Sequence, residues 1–182
     1  MTYSELAKKL RLPLGFVFGI AYLIWARPTP LTLAVGGIIA LVGVLVRAWA
    51  SGHISKNKKL AVSGPYAHTR NPLYFGSFLI GAGFAVAAHW GLLLVVIAFW
   101  ILVYAPTIER EKANIRERFP DEYDQYSANV PAFVPRVTAW RSADSDNGSF
   151  DLGLYMKHGE WKAGFTYILV MAWLAFRVKR GL

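Results

Sequence analysis

The sequence predicts an all-α integral membrane protein with about five transmembrane helices, folded as a single domain over residues 1–182. Two observations carry this expectation. Hydrophobic residues make up 55% of the chain and gather into long apolar runs, the signature of helices that meet lipid. The formal charge is +9, and the basic residues sit beside those runs, the pattern that orients helices in a bilayer. Anionic lipid head groups are the fitting partner for that charge, and nucleic acid is not, since basic residues are not interleaved with aromatics on a soluble surface. The chain has no cysteine, which excludes disulfides, thiol nucleophiles and cysteine-ligated metal centres.

The N-terminal segment, 1–11, carries Lys8, Lys9 and Arg11 ahead of an apolar run with no clean cleavage site, so it reads as a retained first helix. That run, 12–26, ends at Arg27-Pro28-Thr29-Pro30. Gly15 and Gly19 give it a small-xxx-small face, the spacing of close helix packing. The second run, 31–51, is long enough to span, with Arg47 near its end able to snorkel to the head groups. The short turn between the runs predicts an antiparallel hairpin over 12–51. A basic loop, 52–71, follows. The third run, 72–88, and the fourth, 91–106, form a second hairpin across His89 and Trp90, which suit the far interface. Gly81 and Gly83 lack the third glycine of a dinucleotide loop and lie in an apolar helix, so they read as packing.

After Pro106 the chain turns polar while keeping helical spacing, with Ile108, Ile115 and Phe119 on one stripe. The fourth helix is expected to continue out of the bilayer there. Pro120, Asp121 and Glu122 mark a helix start, with Tyr123, Tyr126 and Val130 as its apolar face. Segment 130–135 is extended, because proline restricts the residue before it, and 138–150 reads as a loop. The last run, 163–176, would cover only ~21 Å at ~1.5 Å per residue, against a ~30 Å hydrocarbon core. It is the weakest of the five spans. The 137–182 tail thus holds a loop and an apolar helix.

Orientation by the basic residues puts the N-terminus, 52–71 and 107–160 on the cytoplasmic side, which brings two polar segments, 53–74 and 107–126, to one face. At the first, the stretch 63–76 sets Tyr66, His68, Arg70 and Tyr74 among Gly64, Pro65, Asn71 and Pro72, and reads equally as a rigid elbow or as a polar ligand site. On the second, Glu109 and Glu111 point ~200° apart on a helix. Glu111 shares its face with Thr107, Ile108 and Ile115, and is either a pocket carboxylate or part of a solvated charged helix. His53 and His68 lack the carboxylate–histidine spacing of a metal site, and no nucleophile elbow, P-loop or paired-histidine zinc motif occurs.

Gly64-Pro65-Tyr66, Arg70-Asn71-Pro72-Leu73-Tyr74-Phe75-Gly76, Glu109-Arg110-Glu111, Arg118-Phe119-Pro120-Asp121-Glu122-Tyr123, Tyr126 and Val130-Pro131 stand in order and with consistent spacing. Together with His53 and Asn57 upstream, they resemble the isoprenylcysteine carboxyl methyltransferase family, the broader group that includes phospholipid N-methyltransferases. The match covers about residues 45–136, so 52–136 is expected to be the methyltransferase core. Three positions depart from the family pattern. Asn71 replaces a histidine, Pro120 replaces a glycine, and Arg110 interrupts a glutamate pair. The resemblance implies methyl transfer from S-adenosylmethionine to a lipid-like acceptor at the cytoplasmic face of the membrane, a prenylcysteine-type carboxylate first and an aminophospholipid as the alternative. It implies a cofactor site from His53, Asn57, Leu60, Gly64, Pro65, Tyr66, Arg70, Asn71, Tyr74, Glu111 and Tyr123, with Arg70 and Glu111 carrying the catalysis and no metal. A reductase on a related membrane scaffold and a non-enzymatic helical membrane protein are the competing classes.

Overall fold

The computed structural model describes residues 3–54, 60–141 and 148–181, without the side chains of residues 3–8, 11 and 12. Among these residues the chain is helical and holds no strand. The elements are α1 (Tyr3–Trp25), α2 (Pro30–Ser51), a 3-10 turn (Gly64–Ala67), α3 (Pro72–Ala88), α4 (Leu92–Phe99), a π turn (Trp100–Tyr104), α5 (Ala105–Arg118), α6 (Pro120–Asn129), α7 (Leu152–His158) and α8 (Trp161–Arg180). The helical starts follow local chemistry. Pro30, Pro72 and Pro120 each open a helix, where a missing N–H costs nothing. Thr29 caps α2 reciprocally with Thr32, which satisfies two otherwise unpaired backbone donors.

The α4 helix, the π turn and α5 form one continuous rod, Leu92–Arg118, of 27 residues. Pro106 cannot donate to the carbonyl of Leu102, and the ladder widens to π geometry just upstream of it, a known way of absorbing such a break. Trp100 and Tyr104 stack across the widened turn with ring centroids 4.5 Å apart. The fourth helix therefore does extend into the charged segment.

The most extensive helix pair is α2 with α3. Glycines make it so close. A Cβ on Gly43 would lie 2.6 Å from the Gly76 carbonyl oxygen, and one on Gly36 would collide with the backbone of Gly83 and Ala87. This corrects the packing expected of the first hairpin. Around Gly15 and Gly19 an added Cβ would meet nothing within 4 Å, and α1 lies instead against the π turn and α5, with Phe18 edge-on to Phe99. The glycine seam of α2 is already filled by α3, which leaves α1 to find another neighbour. Gly83, discounted as a nucleotide loop, is part of that seam.

Away from the charged α5 and α6 segments the exterior of the helices is largely apolar. Phe16, Ile20 and Ile24 on α1, Leu31, Ile38 and Leu45 on α2, and Leu94 and Ile101 on the rod are all exposed. Buried residues are mostly small, and the largest fully buried side chain is Leu174. Large hydrophobics outside and small residues inside suit lipid, not water. Pro30–Ser51 and Leu92–Arg118 are long and apolar enough to cross a membrane, while Pro13–Trp25 and Pro72–Ala88 are shorter apolar helices. The last helix runs over 20 residues, longer than its apolar run suggests, and at ~1.5 Å per residue reaches ~30 Å.

The polar end is stitched from three segments. Residues 131–140 fold back on the 3-10 turn, with the N–H of Arg70 donating to the Pro131 carbonyl, that of Arg136 to His68 and that of Trp140 to Ala67. Tyr123, Tyr126 and Val130 on α6 form a small core with Leu60, Val62 and Trp140. The tail then returns to α2. The Asp151 N–H donates to the Gly52 carbonyl, and the Tyr167 hydroxyl to that of Gly37.

Candidate functional site

Where these segments meet lies a cleft of about 720 Å³, bounded by the end of α2, residues 60–77, the rod from Tyr104 to Arg118, α6 and the start of α8. That volume is in the range of ordinary small-molecule sites, ~300–1,000 Å³.

Asn71 and Pro72 end the turn and start α3, which places Tyr74 on the first helical turn. The Tyr74 hydroxyl donates to Glu111 Oε1 at 2.9 Å. Glu111 is solvent-exposed on α5 and faces the cleft, as expected from the face it shares with Thr107, Ile108 and Ile115. Glu109 pairs outward with Lys112 at 3.1 Å. The two carboxylates thus separate as the ~200° helical offset requires.

Arg70 reaches the cleft from the other side. Its Nη1 donates to the Tyr123 hydroxyl at 3.0 Å, its guanidinium lies 5.8 Å from the centre of the Tyr123 ring, and its Nε is buried with no hydrogen-bond partner. Tyr66 is 6% exposed, and its hydroxyl is also buried without a partner. Burial above all, then the charge of Glu160, pushes the Tyr66 phenol above its ordinary pKa, and Arg47 opposes this. Tyr66 is therefore a neutral donor at any physiological pH. The Tyr126 hydroxyl donates to the Tyr66 carbonyl at 2.7 Å, which fixes the turn that carries Tyr66. Two unsatisfied buried donors at one cleft are unusual for a folded protein, and they mark places where a ligand oxygen would be accommodated.

Of the residues expected to bind the cofactor, Leu60, Tyr66, Arg70, Asn71, Tyr74, Glu111 and Tyr123 line this cleft. Asn71 uses its side-chain N–H on the Ala132 carbonyl at 2.8 Å, an anchoring contact that an amide makes without titrating. Gly64 and Pro65 shape the turn from behind. Gly64 has φ +58°, and a Cβ there would run into the His53 ring. His53 does not line the cleft; its Nδ1 pairs with the Trp49 carbonyl at 2.9 Å. His68 faces a smaller recess of about 230 Å³ and pairs through Nδ1 with the Arg136 carbonyl. Among the described residues no group of three or more His, Asp or Glu could hold a metal ion. Asn57 lies outside the described residues.

Sequence reasoning missed one wall of the cleft. Arg47 does not snorkel. Its Nε and Nη2 donate to the two oxygens of Glu160 at 2.9 and 2.6 Å, and its Nη1 reaches the Leu73 carbonyl at 3.2 Å and the Ser77 hydroxyl. Glu160 stands 113 residues away on the tail, in a stretch with no motif, so no spacing argument could have found it. Tyr104 was also missed. It lines the cleft and meets the Tyr74 ring edge-on at 5.7 Å.

Comparison with known proteins places the chain in a family. The phospholipid methyltransferase family model matches residues 31–122, which hold Arg70, Tyr74 and Glu111. The chain is 31% identical over 163 residues to the nickel-cobalt-cadmium resistance protein NccN of Alcaligenes xylosoxydans xylosoxydans, covering 85% of this chain and 73% of that protein. It is 35% identical over 122 residues to the cobalt-zinc-cadmium resistance protein CzcN of Cupriavidus metallidurans, covering 64% of this chain and 54% of the relative. A more distant relative is the protein-S-isoprenylcysteine O-methyltransferase of Schizosaccharomyces pombe, 23% identical over 143 residues, 75% of this chain and 60% of that enzyme. No solved structure matches. The chain belongs to the phospholipid methyltransferase family.

Proposed function

We propose that the cleft binds S-adenosylmethionine and that the protein transfers its methyl group to a lipid-like acceptor at the cytoplasmic membrane face. The observation that carries this reading is the meeting of Glu111, held by Tyr74, with the unpartnered Nε of Arg70 in one ring-walled cleft. The residues fit the group. Glu111 would take its ammonium, the Arg70 Nε and the Tyr66 hydroxyl would take carboxylate or ribose oxygens, and the Tyr74 and Tyr104 rings would face its cationic sulfur. When bound, the cofactor supplies an electrophilic methyl on that sulfur. The chain's own work is to align the two substrates and to exclude water.

The acceptor favoured by the cleft is a carboxylate of the prenylcysteine type. A carboxylate is already nucleophilic, whereas an ammonium must first lose a proton, and neither His53 nor His68 lines the cleft. An ethanolamine phospholipid is the second reading, supported by the family match; of the two described carboxylates lining the cleft, Glu160 is paired with Arg47, and Glu111, which accepts from Tyr74, would receive the proton. From Tyr104 the rings of Trp100, Phe78 and Phe133 continue in contact and would offer an apolar tail a path from the bilayer. The membrane arrangement proposed is five spans, α1, α2, α3, the rod and α8, with the cleft on the basic, cytoplasmic side.

The test is calorimetric titration of the detergent-purified protein with S-adenosylmethionine and S-adenosylhomocysteine, with NADPH as control. Binding of the adenosyl compounds alone is expected; binding of NADPH alone would transfer the protein to the reductase class. Glu111→Gln is expected to weaken adenosyl binding by about tenfold, the value of one charge-assisted contact at a partly screened site. Unchanged affinity in that variant would remove Glu111 from the site.

A further inference from the structure

The C-terminal segment is held on the cleft by a pair that neither the family motif nor the matched region, 31–122, contains in full. Glu160 is the N-cap residue of α8, yet its carboxylate makes no capping bond. Both of its oxygens go to Arg47. The two side chains are mostly buried, with 13% and 24% exposed for Glu160 and Arg47 respectively. The third arm of the same guanidinium holds the first two turns of α3, through the Leu73 carbonyl on the first and the Ser77 hydroxyl on the second. Tyr74 lies next to Leu73 on the first turn and holds Glu111. A chain of direct contacts therefore runs from Glu160 through Arg47 and α3 to Tyr74 and Glu111.

We propose that the C-terminal segment completes the cleft, and that Glu160 and Arg47 are a positioning pair that sets the first turn of α3, and with it Tyr74 and Glu111, for cofactor binding. Arg47 is suited to this because a planar guanidinium can serve a carboxylate on one edge and a helix on the other, which an ammonium cannot do with the same geometry. Without its carboxylate partner the guanidinium would be left partly buried and uncompensated, and would turn toward the remaining acceptors or to water. Either movement drags the α3 turn to which it is bonded. Glu160 also raises the proton affinity of Tyr66, so the same carboxylate reaches the turn opposite. Near the other end of α8, Arg177 Nη1 on the Leu23 and Ile24 carbonyls at 3.2 and 2.9 Å fastens that helix to α1 away from the cleft. Those contacts are structural and provide the control.

The binding half of this inference rests on the cofactor reading above, while the positioning half stands without it, and two measurements separate them. In the first, S-adenosylhomocysteine is titrated into the full chain, Glu160→Gln, Glu160→Asp and Arg177→Gln. Glu160→Gln is expected to weaken binding about fivefold, Glu160→Asp to recover part of that because it keeps the charge, and Arg177→Gln to stay within about twofold. Equal affinity of Glu160→Gln and the parent, or an equal loss in Arg177→Gln, overturns the proposal. In the second, Leu73→Cys gives a single thiol, since the sequence has no cysteine, and its labelling by a water-soluble maleimide is timed without ligand. Adding Glu160→Gln is expected to speed labelling by about threefold or more as the turn loosens; an unchanged rate overturns the positioning role. If the parent binds neither adenosyl compound, the cofactor reading fails and the labelling rate alone decides the positioning pair.

Discussion

The seam between α2 and α3 sets the position of the site, and replacing Gly43 by alanine tests it. The new Cβ would lie 2.6 Å from the Gly76 carbonyl oxygen, 2.8 Å from the Ile80 nitrogen and 2.9 Å from Ile80 Cγ1, where ordinary contact begins at 3.4 Å. Two of these atoms are backbone, so no rotamer change relieves the overlap. The helices must separate by the shortfall, ~0.8 Å, along their tightest line. Overpacking of this kind costs ~1–3 kcal/mol, and the better helix propensity of alanine offsets up to ~1 kcal/mol of it. The net loss is about 1–2 kcal/mol, a fall of roughly 2–8 °C in Tm for a chain of this size. Gly15→Ala is the matched control, because its Cβ meets nothing within 4 Å and only the propensity gain remains. Thermal unfolding in detergent, followed by tryptophan fluorescence, reads both. Equal shifts in the two variants would refute the claim that backbone contact at the seam, rather than helix composition, determines the packing.

Two further outcomes follow from the polar end. The Tyr126 phenol is pushed above its ordinary pKa, by burial first and then by Tyr66. The folded state therefore keeps a proton that the unfolded chain releases near pH ~10. Stability should be flat from about pH 7 to 9 and fall above pH ~10. Tyr126→Phe should cost ~1–3 kcal/mol at neutral pH by leaving the Tyr66 carbonyl without its donor, and should make the alkaline decline shallower; an equally steep decline would count against the linkage. Gly64→Ala combines a left-handed backbone, φ +58°, with a clash on the His53 ring, whereas Gly181→Ala meets a similar φ, +68°, with nothing nearby. Each pays ~1–2 kcal/mol for the backbone alone, so Gly64→Ala should show the larger Tm loss, and parity between them would show that the His53 ring yields freely.

Much of this molecule is legible in its sequence where the signal is local. The third helix runs over 72–88, as Pro72 and its apolar composition indicate, and α6 begins at Pro120 as its acidic first turn requires. Glu111 could be preferred to Glu109 because helical geometry separates them. The juxtaposition of Arg70 with Tyr123 and of Tyr74 with Glu111 was not available from spacing. Topology brings the two segments to one face and the family resemblance names the residues, but pairs 53 and 37 residues apart leave no periodic trace. The glycines illustrate the limit differently. Gly15 and Gly19 on α1 and Gly36 and Gly43 on α2 offer the same small-residue face, and nothing in either helix tells which one a partner will occupy. The histidines look like ligands in a sequence and turn out to satisfy carbonyls of Trp49 and Arg136, backbone partners that carry no side-chain signature. Arg47 with Glu160 is hidden for the same reason as any long-range ion pair.

The unbroken rod from Leu92 to Arg118 has a mechanical meaning. At ~1.5 Å per residue its 27 residues reach ~40 Å, which exceeds a ~30 Å hydrocarbon layer by about seven residues. Measured back from Arg118, that overhang ends beside Glu111. The rod is thus a ruler, and with it spanning a bilayer, as proposed, Glu111 stands near the boundary between lipid and water. A thicker bilayer would draw that carboxylate toward the lipid or force the rod to tilt. The electrostatic strength of the cleft would in that way be tuned by the thickness of the membrane around it.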